Sequence, residues 1–285
     1  MMMKQILLSA FIDEYSDDLT EQLDALERFG IRYLELRHVN GKNVSEMTDE
    51  EIIALRLACD ARGIGISAIG SPLGKIRLDG DLDAHLALTE RICRYATILG
   101  AHYVRMFSFY PPQGEEIVAR RDDVLAMLQK MLDIADRFGV VLCHENEARI
   151  YGDTPERCRD LLDFFGGRLR AVFDMGNFVL EGCEPISAYE HLSPYVSYFH
   201  IKDALSAGAI VPAGLGEAEI KPILEAYCKS DEGDFFISLE PHLETFAGLN
   251  ALTESTFTNP YKYDDAKAAF TDAVAKLKAL LGGIL

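Results

Sequence analysis

Short apolar runs alternate with longer amphipathic stretches along the chain, and the alternation repeats eight times. The apolar runs are KQILLSAFI at 4–12, RYLELRH at 32–38, IGISAIGS at 64–71, YVRMFSF at 103–109, VVLCHEN at 140–146, RAVFDMG at 170–176, VSYFHIK at 196–202 and DFFISLE at 234–240. They are short and rich in β-branched and aromatic residues, as buried strands are. Helical periodicity fills the intervals. LTEQLDALERF follows Asp17 and Asp18, which can cap it, and TDEEIIALRLACDARG opens on a Thr48–Glu51 capping box and stops at Gly63. TPERCRDLLDFFGG has Pro155 in its first turn and glycines at its end. Further helices are predicted over 82–99, 115–138, 186–192, 217–229 and 264–281.

Eight strand–helix pairs in succession imply parallel strands joined by helical crossovers. The predicted fold is α/β, a single (β/α)8 TIM barrel occupying 1–285 as one domain. A doubly wound open sheet is the alternative. It is disfavoured because no GxGxxG or Walker-type glycine run follows the first strand. Two polar loops interrupt the pattern, at 203–216 and at 242–262. The second contains Phe246 and Phe257, and covering the mouth or building a dimer contact are both open to it.

The 285-residue length suits one barrel, and 49% hydrophobic residues suffice for a large core. The formal net charge of −18 repels phosphate backbones and argues against a nucleic-acid partner. Six scattered cysteines with no CxxC pair read as reduced, buried thiols of a cytoplasmic protein. No apolar run is long enough to cross a membrane, and the N-terminus lacks a signal-peptide pattern. Whether the chain forms a homo-oligomer is left open.

In a barrel the chemistry collects at the C-terminal ends of the strands. Four of those ends carry Glu145, Asp174, His200 and Glu240, spaced 29, 26 and 40 residues apart. Each spacing is about one βα unit, so the four groups converge. Taken singly, each would be a cap or an ion-pair partner. Together, three carboxylates and an imidazole form an oxygen-rich ligand set suited to a divalent cation, Mn²⁺ first, with Zn²⁺, Co²⁺ or Mg²⁺ as alternatives. Glu35, Arg37, Lys75, Arg105, Glu147, Asn177 and Lys202 also lie at strand ends and form the candidate substrate-binding set. For the four basic residues among them, pairing with the acids is an equal alternative. Asn40, Lys42 and Asn43 read as a tight polar turn. Gly214 and Gly216 read as a turn into a helix or, second, as a phosphate cradle. His102 and His191 read as structural.

LCHENE at 142–147, FDMGN at 173–177, FHIKDA at 199–204 and SLEPH at 238–242 resemble, in order, the strand-end motifs of the xylose isomerase-like barrels. That family includes tagatose and psicose 3-epimerases, hydroxypyruvate isomerases and inositol-catabolism enzymes. The resemblance implies that Glu145, Asp174, His200 and Glu240 bind the metal, and that Glu145 and Glu240 also act as acid and base. Two departures separate this chain from the ketose 3-epimerases. Asn177 stands near the place of a substrate-contacting histidine, and KDALSAG lacks an arginine that some members carry after the ligand histidine.

The expected activity is a metal-dependent isomerase or epimerase acting on a sugar or sugar-derived hydroxy-carbonyl compound. One carboxylate removes a carbon-bound proton to give an enediolate, and the other returns it. Two alternatives of other classes share the fold: an abasic-site endonuclease, whose metal cluster uses more histidines at the mouth, whereas this chain has seven in all and few near strand ends, and a non-catalytic sugar-binding barrel.

Overall fold

A computed structural model describes residues 5–229, 233–244 and 260–282. Eight parallel strands close into a barrel: β1 (Ile6–Ala10), β2 (Tyr33–Leu36), β3 (Gly65–Gly70), β4 (Tyr103–Met106), β5 (Val141–Glu145), β6 (Arg170–Asp174), β7 (Val196–Ile201) and β8 (Phe235–Leu239). Around the ring each strand neighbours its sequence neighbour, and β1 pairs with β8 to close it. All eight predicted runs contain one of these strands. The helices are α1 (Leu19–Phe29), α2 (Asp49–Ala61), α3 (Leu82–Leu99), α4 (Arg121–Phe138), α5 (Pro155–Phe165), α6 (Met175–Leu180), α7 (Pro185–Leu192), α8 (Ile220–Cys228) and α9 (Ala266–Leu281).

Local signals explain the helix ends. The Asp18 carboxylate accepts from the Glu21 amide at the start of α1, and the Thr48–Glu51 capping box is formed at α2. Gly30, Gly100, Gly139 and Gly166 close α1, α3, α4 and α5 in the left-handed conformation. Two predicted boundaries move. The run at 170–176 ends as a strand at Asp174, because that carboxylate caps α6 by accepting from the Asn177 amide. The helix predicted from 115 begins as a 3-10 turn, Ile117–Arg120, before α4.

The main apolar core lies between the strands and the surrounding helices. A smaller cluster, Ala68, Cys143, Val172 and Tyr198, fills the barrel interior. The site is therefore built on a solid floor and not over a pore. Four of the six cysteines are buried, and all six are free thiols. No described helix is long and apolar enough to cross a membrane. Most of the 242–262 loop, with Phe246 and Phe257, lies outside the described residues.

Candidate metal centre

Glu145 ends β5, Asp174 ends β6, His200 lies in β7 and Glu240 follows β8. A register shift between Ala171 and Val172 sets Asp174 directly opposite His200 across the β6–β7 pair, a use of irregular pairing common beside functional sites. One ligand atom from each of the four residues lies within 4.8 Å of all the others, and all four side chains are buried. The His200 Nδ1 is 2.8 Å from Glu145 Oε1 and 3.4 Å from Glu240 Oε2. Asn146 fixes Asp174 from behind: its side chain accepts from the Asp174 amide and donates to the Asp174 carbonyl.

The basic residues of the candidate set are drawn to these acids. The Arg105 guanidinium donates to Glu145 Oε2 at 2.8 Å, and Arg37 donates to Glu240 Oε1 at 2.7 Å. Arg37 also pairs with Asp13 at 2.8 Å and with Glu14 at 3.2 Å. Lys202 donates to Asp174 Oδ2 at 2.9 Å and to Asn177 Oδ1 at 3.1 Å. Each ligand glutamate thus has one oxygen committed to an arginine and the other turned toward His200. Glu35 sits beside the His200 ring, fully buried. Lys75 and Glu147 pair with each other at 3.1 Å in a less buried place. The remaining candidates, Glu145, Asp174, His200, Glu240, Glu35, Arg37, Arg105, Asn177 and Lys202, form one connected cluster.

Electrostatics follow from this packing. Burial alone would push Glu145 up, but the neighbouring His200 and Arg105 charges overcome it and hold the carboxyl below its usual range. Glu240 is likewise held low against burial, by Lys202 and His242. Burial wins at Asp174, which is pushed up to about 7 despite Lys202. At His200 burial disfavours the charge, yet Glu145 and Glu35 raise the imidazole well above its usual range.

Two observations test whether a divalent cation fits here. First, six buried carboxylates (Asp13, Glu14, Glu35, Glu145, Asp174, Glu240) face only three buried permanent cations (Arg37, Arg105, Lys202). His200, raised well above its usual range, adds a fourth cation, and burial raises Asp13, Glu14 and Asp174, so a dication would supply counter-charge that these acids otherwise lack. Second, Glu240 Oε2 is buried and makes no hydrogen bond, only 3.4 Å ion-pair contacts with His200 and Lys202 inside the cluster. The donor set and this weakly engaged oxygen both suit a hard or borderline dication.

Sequence reasoning does not name Asp13, Glu14, Tyr198 or Phe11, and it places His242 at a strand end beside Glu240 without giving it a role. Asp13 and Glu14 lie in a 3-10 turn, Ile12–Glu14, that follows β1, where the strand-end rule would have found them. His242 donates its backbone amide to Glu14 and places its ring near Glu240. Tyr198 and Phe11 carried no polar strand-end signal. The phosphate-cradle alternative for Gly214 and Gly216 is overturned. Their amides, with those of Ala204 and Ala218, donate to the buried Asp203 carboxylate, so the protein fills its own anion nest. The turn at Asn40–Asn43 is structural, with the Asn40 side chain accepting from the Leu19 amide and Lys42 paired with Glu51.

Fold and site define a closed (β/α)8 barrel with a buried carboxylate–imidazole cluster at its C-terminal mouth. The chain belongs to the xylose isomerase-like TIM barrel family, whose sequence profile matches residues 23–245. No curated protein matches it by sequence. Among solved structures it is similar to the probable 3-DHS dehydratase AsbF of Bacillus anthracis, with 16% identity, TM-score 0.73, and coverage of 96% of this chain and 99% of that one. It is also similar to the IOLI protein with a bound zinc atom (16% identity, TM-score 0.72, 98% and 99% coverage). A third similar structure is D-psicose 3-epimerase with D-tagatose from Clostridium cellulolyticum H10 (15% identity, TM-score 0.73, 96% and 98% coverage).

Proposed function

We propose that the protein is a divalent-metal-dependent isomerase or epimerase of a small sugar or sugar-derived hydroxy-carbonyl compound. The observation that carries this reading is the convergence of Glu145, Asp174, His200 and Glu240 to within 4.8 Å in a buried barrel mouth. The family, a zinc-bearing similar structure and a sugar epimerase of the same fold support it. Glu145, Asp174, His200 and Glu240 would hold the ion. When bound, the cation supplies Lewis-acid stabilisation of the negative charge that grows on substrate oxygens as a carbon-bound proton leaves.

The protein's own groups do the rest. Glu145 and Glu240 come from β5 and β8, with β6 and β7 between them, and so approach a bound substrate from two sides. One takes the proton and the other returns it. Return to the same carbon from the opposite face gives epimerisation, and return to the adjacent carbon through the enediolate gives isomerisation. Asp174 and His200 hold the ion without exchanging protons with substrate. Lys202 keeps Asp174 in place, while Arg37 and Arg105 fix the rotamers of the two glutamates. Lys75 and Glu147, less buried than the rest, meet the substrate's distal hydroxyls.

The test is solvent-deuterium incorporation into a panel of ketoses, keto acids and phosphosugars, with metal added or chelated. Metal-dependent exchange into one substrate class is expected, and Glu145→Gln should abolish it while the fold is retained. Undiminished exchange in that variant refutes the assignment of Glu145. Absence of bound divalent metal in the wild-type protein refutes the reading as a whole.

A further inference from the structure

We infer that Glu35, in β2, orients His200 for cation binding and that Tyr198 locks Glu35 in that position. The inference rests on the metal-dependent reading above. It makes Glu35 a positioning residue and removes it from the substrate-binding set.

The two ring nitrogens of His200 face different surroundings. Nδ1 is turned to the ligand cluster, near Glu145 and Glu240. Nε2 is 3.1 Å from Glu35 Oε1. An imidazole that binds an ion uses one nitrogen and keeps a proton on the other, and a carboxylate at Nε2 holds that proton there, so the nitrogen left for the ion is Nδ1. The Tyr198 hydroxyl donates to the same Glu35 oxygen, also at 3.1 Å. Glu35, Tyr198 and His200 all have zero relative exposure, so water does not compete for these bonds.

The fold explains why this contact exists. β2 and β7 are separated by β1 and β8, so Glu35 reaches His200 through the barrel interior. The β2–β3 register shifts between Leu34 and Glu35, at the residue whose side chain must be aimed inward. Tyr198 precedes His200 by two positions on β7 and shares its face. Its ring stacks on Tyr103 with centroids 5.5 Å apart, which fixes the hydroxyl. Phe11 meets the His200 ring edge-on at 5.0 Å and closes another side. Both donors hold the same oxygen, Oε1, and with no exposed surface Glu35 could meet a substrate only if its packed neighbours moved aside.

The test uses the full-length protein, Mn²⁺ alone as titrant, and calorimetry on wild type, Glu35→Ala, Glu35→Gln and Tyr198→Phe. Loss of the carboxylate should weaken Mn²⁺ binding by about 10- to 100-fold. Glu35→Gln, which keeps an acceptor oxygen, should recover part of that loss, and Tyr198→Phe should lose less than Glu35→Ala. Adding Tyr198→Phe to Glu35→Ala should cost nothing further. In the Co²⁺-loaded protein the paramagnetically shifted, exchangeable His200 Nε2–H proton should be visible in wild type and exchange rapidly in Glu35→Ala. Should Glu35→Ala fail to fold, Glu35→Gln and Tyr198→Phe decide by the same readouts. Mn²⁺ binding by wild type with unchanged affinity in the variants overturns this inference and leaves the metal reading standing. Wild type that binds no divalent cation overturns both.

Discussion

Replacing Arg37 by methionine isolates the largest electrostatic commitment in the barrel mouth. The guanidinium is fully buried and contacts three carboxylates, Asp13, Glu14 and Glu240, at 2.8, 3.2 and 2.7 Å. Methionine keeps much of the side-chain volume and the packing on Phe11, over which the guanidinium carbon lies 4.4 Å from the ring centroid. What is lost is the cation. Removing one partner of a buried ion pair costs about 3–5 kcal/mol, which for a chain of this size lowers Tm by roughly 5–8 °C. The loss is limited by protonation of the stranded acids. Burial pushes Glu14 up to about 8 even with Arg37 in place, and it raises Asp13 as well. A carboxyl whose folded value exceeds its unfolded one favours folding at low pH, and that contribution is lost as pH rises through the folded value. The deficit of Arg37→Met should therefore be largest above pH 8 and shrink toward pH 5. Urea unfolding of both proteins from pH 5 to 9 measures it. A deficit below about 1 kcal/mol at pH 9, the range of exposed pairs, would refute the buried-network argument.

Three further outcomes are expected. Mn²⁺ at a hundred times its dissociation constant should stabilise the fold by about 2.7 kcal/mol, read as a rise in Tm that a chelator reverses. Asp174→Asn should show no such rise. Gly74 has φ +82° and a Cβ there would lie 1.9 Å from the Phe107 carbonyl oxygen, so Gly74→Ala should cost about 3 kcal/mol or more. Gly139→Ala, with positive φ but open space around it, should cost about 1 kcal/mol in the same urea assay. Burial lowers His85 to about 4, and its Nε2 accepts from the Gly74 amide. Because its folded value lies below the unfolded 6.5, this contribution is present above pH 6.5 and lost as pH falls toward 4. The loss is up to roughly 3 kcal/mol, and His85→Gln should lose correspondingly less stability over that window.

How much of this was legible in the sequence depends on the range of the interaction. The eight strands could be read because a strand buried on both faces is a continuous apolar run, and the helix starts because Asp18 and Thr48 act within three residues. The four metal-ligand candidates could be read because barrel topology converts strand-end position into proximity. α6 could not, since Asp174 serves both as the last strand residue and as the helix cap, leaving no loop signal between 170 and 180. For Arg37 and Arg105 the sequence allows pairing and substrate contact equally. The pairing partners, Glu240 and Glu145, come from distant strands and are visible only in three dimensions. Gly214 and Gly216 lie in a turn before α8, as the first reading of the glycines has it. The acceptor of their amides is Asp203, which the glycine pattern does not identify.

One residue links these layers in a way that neither motif nor charge reveals. Phe11, just past β1, lies between the two arginines, 4.4 Å from the Arg37 guanidinium carbon and 5.5 Å from that of Arg105. Two like charges would not share this space without a spacer and partners. The aromatic ring attracts both guanidiniums, and each also pairs with a different glutamate, Glu240 for Arg37 and Glu145 for Arg105. The ring itself fits because Gly70 has no side chain: a Cβ there would lie 2.4 Å from Phe11 Cε1. A glycine in β3 thus admits an aromatic ring, the ring packs against two arginines, and each arginine holds one of the two glutamates that face His200 Nδ1. Gly70→Ala should therefore act at a distance. It should displace Phe11 and lower Mn²⁺ affinity, although the atoms nearest a Cβ at Gly70 belong to Phe11 and Arg105 and not to the four candidate ligands.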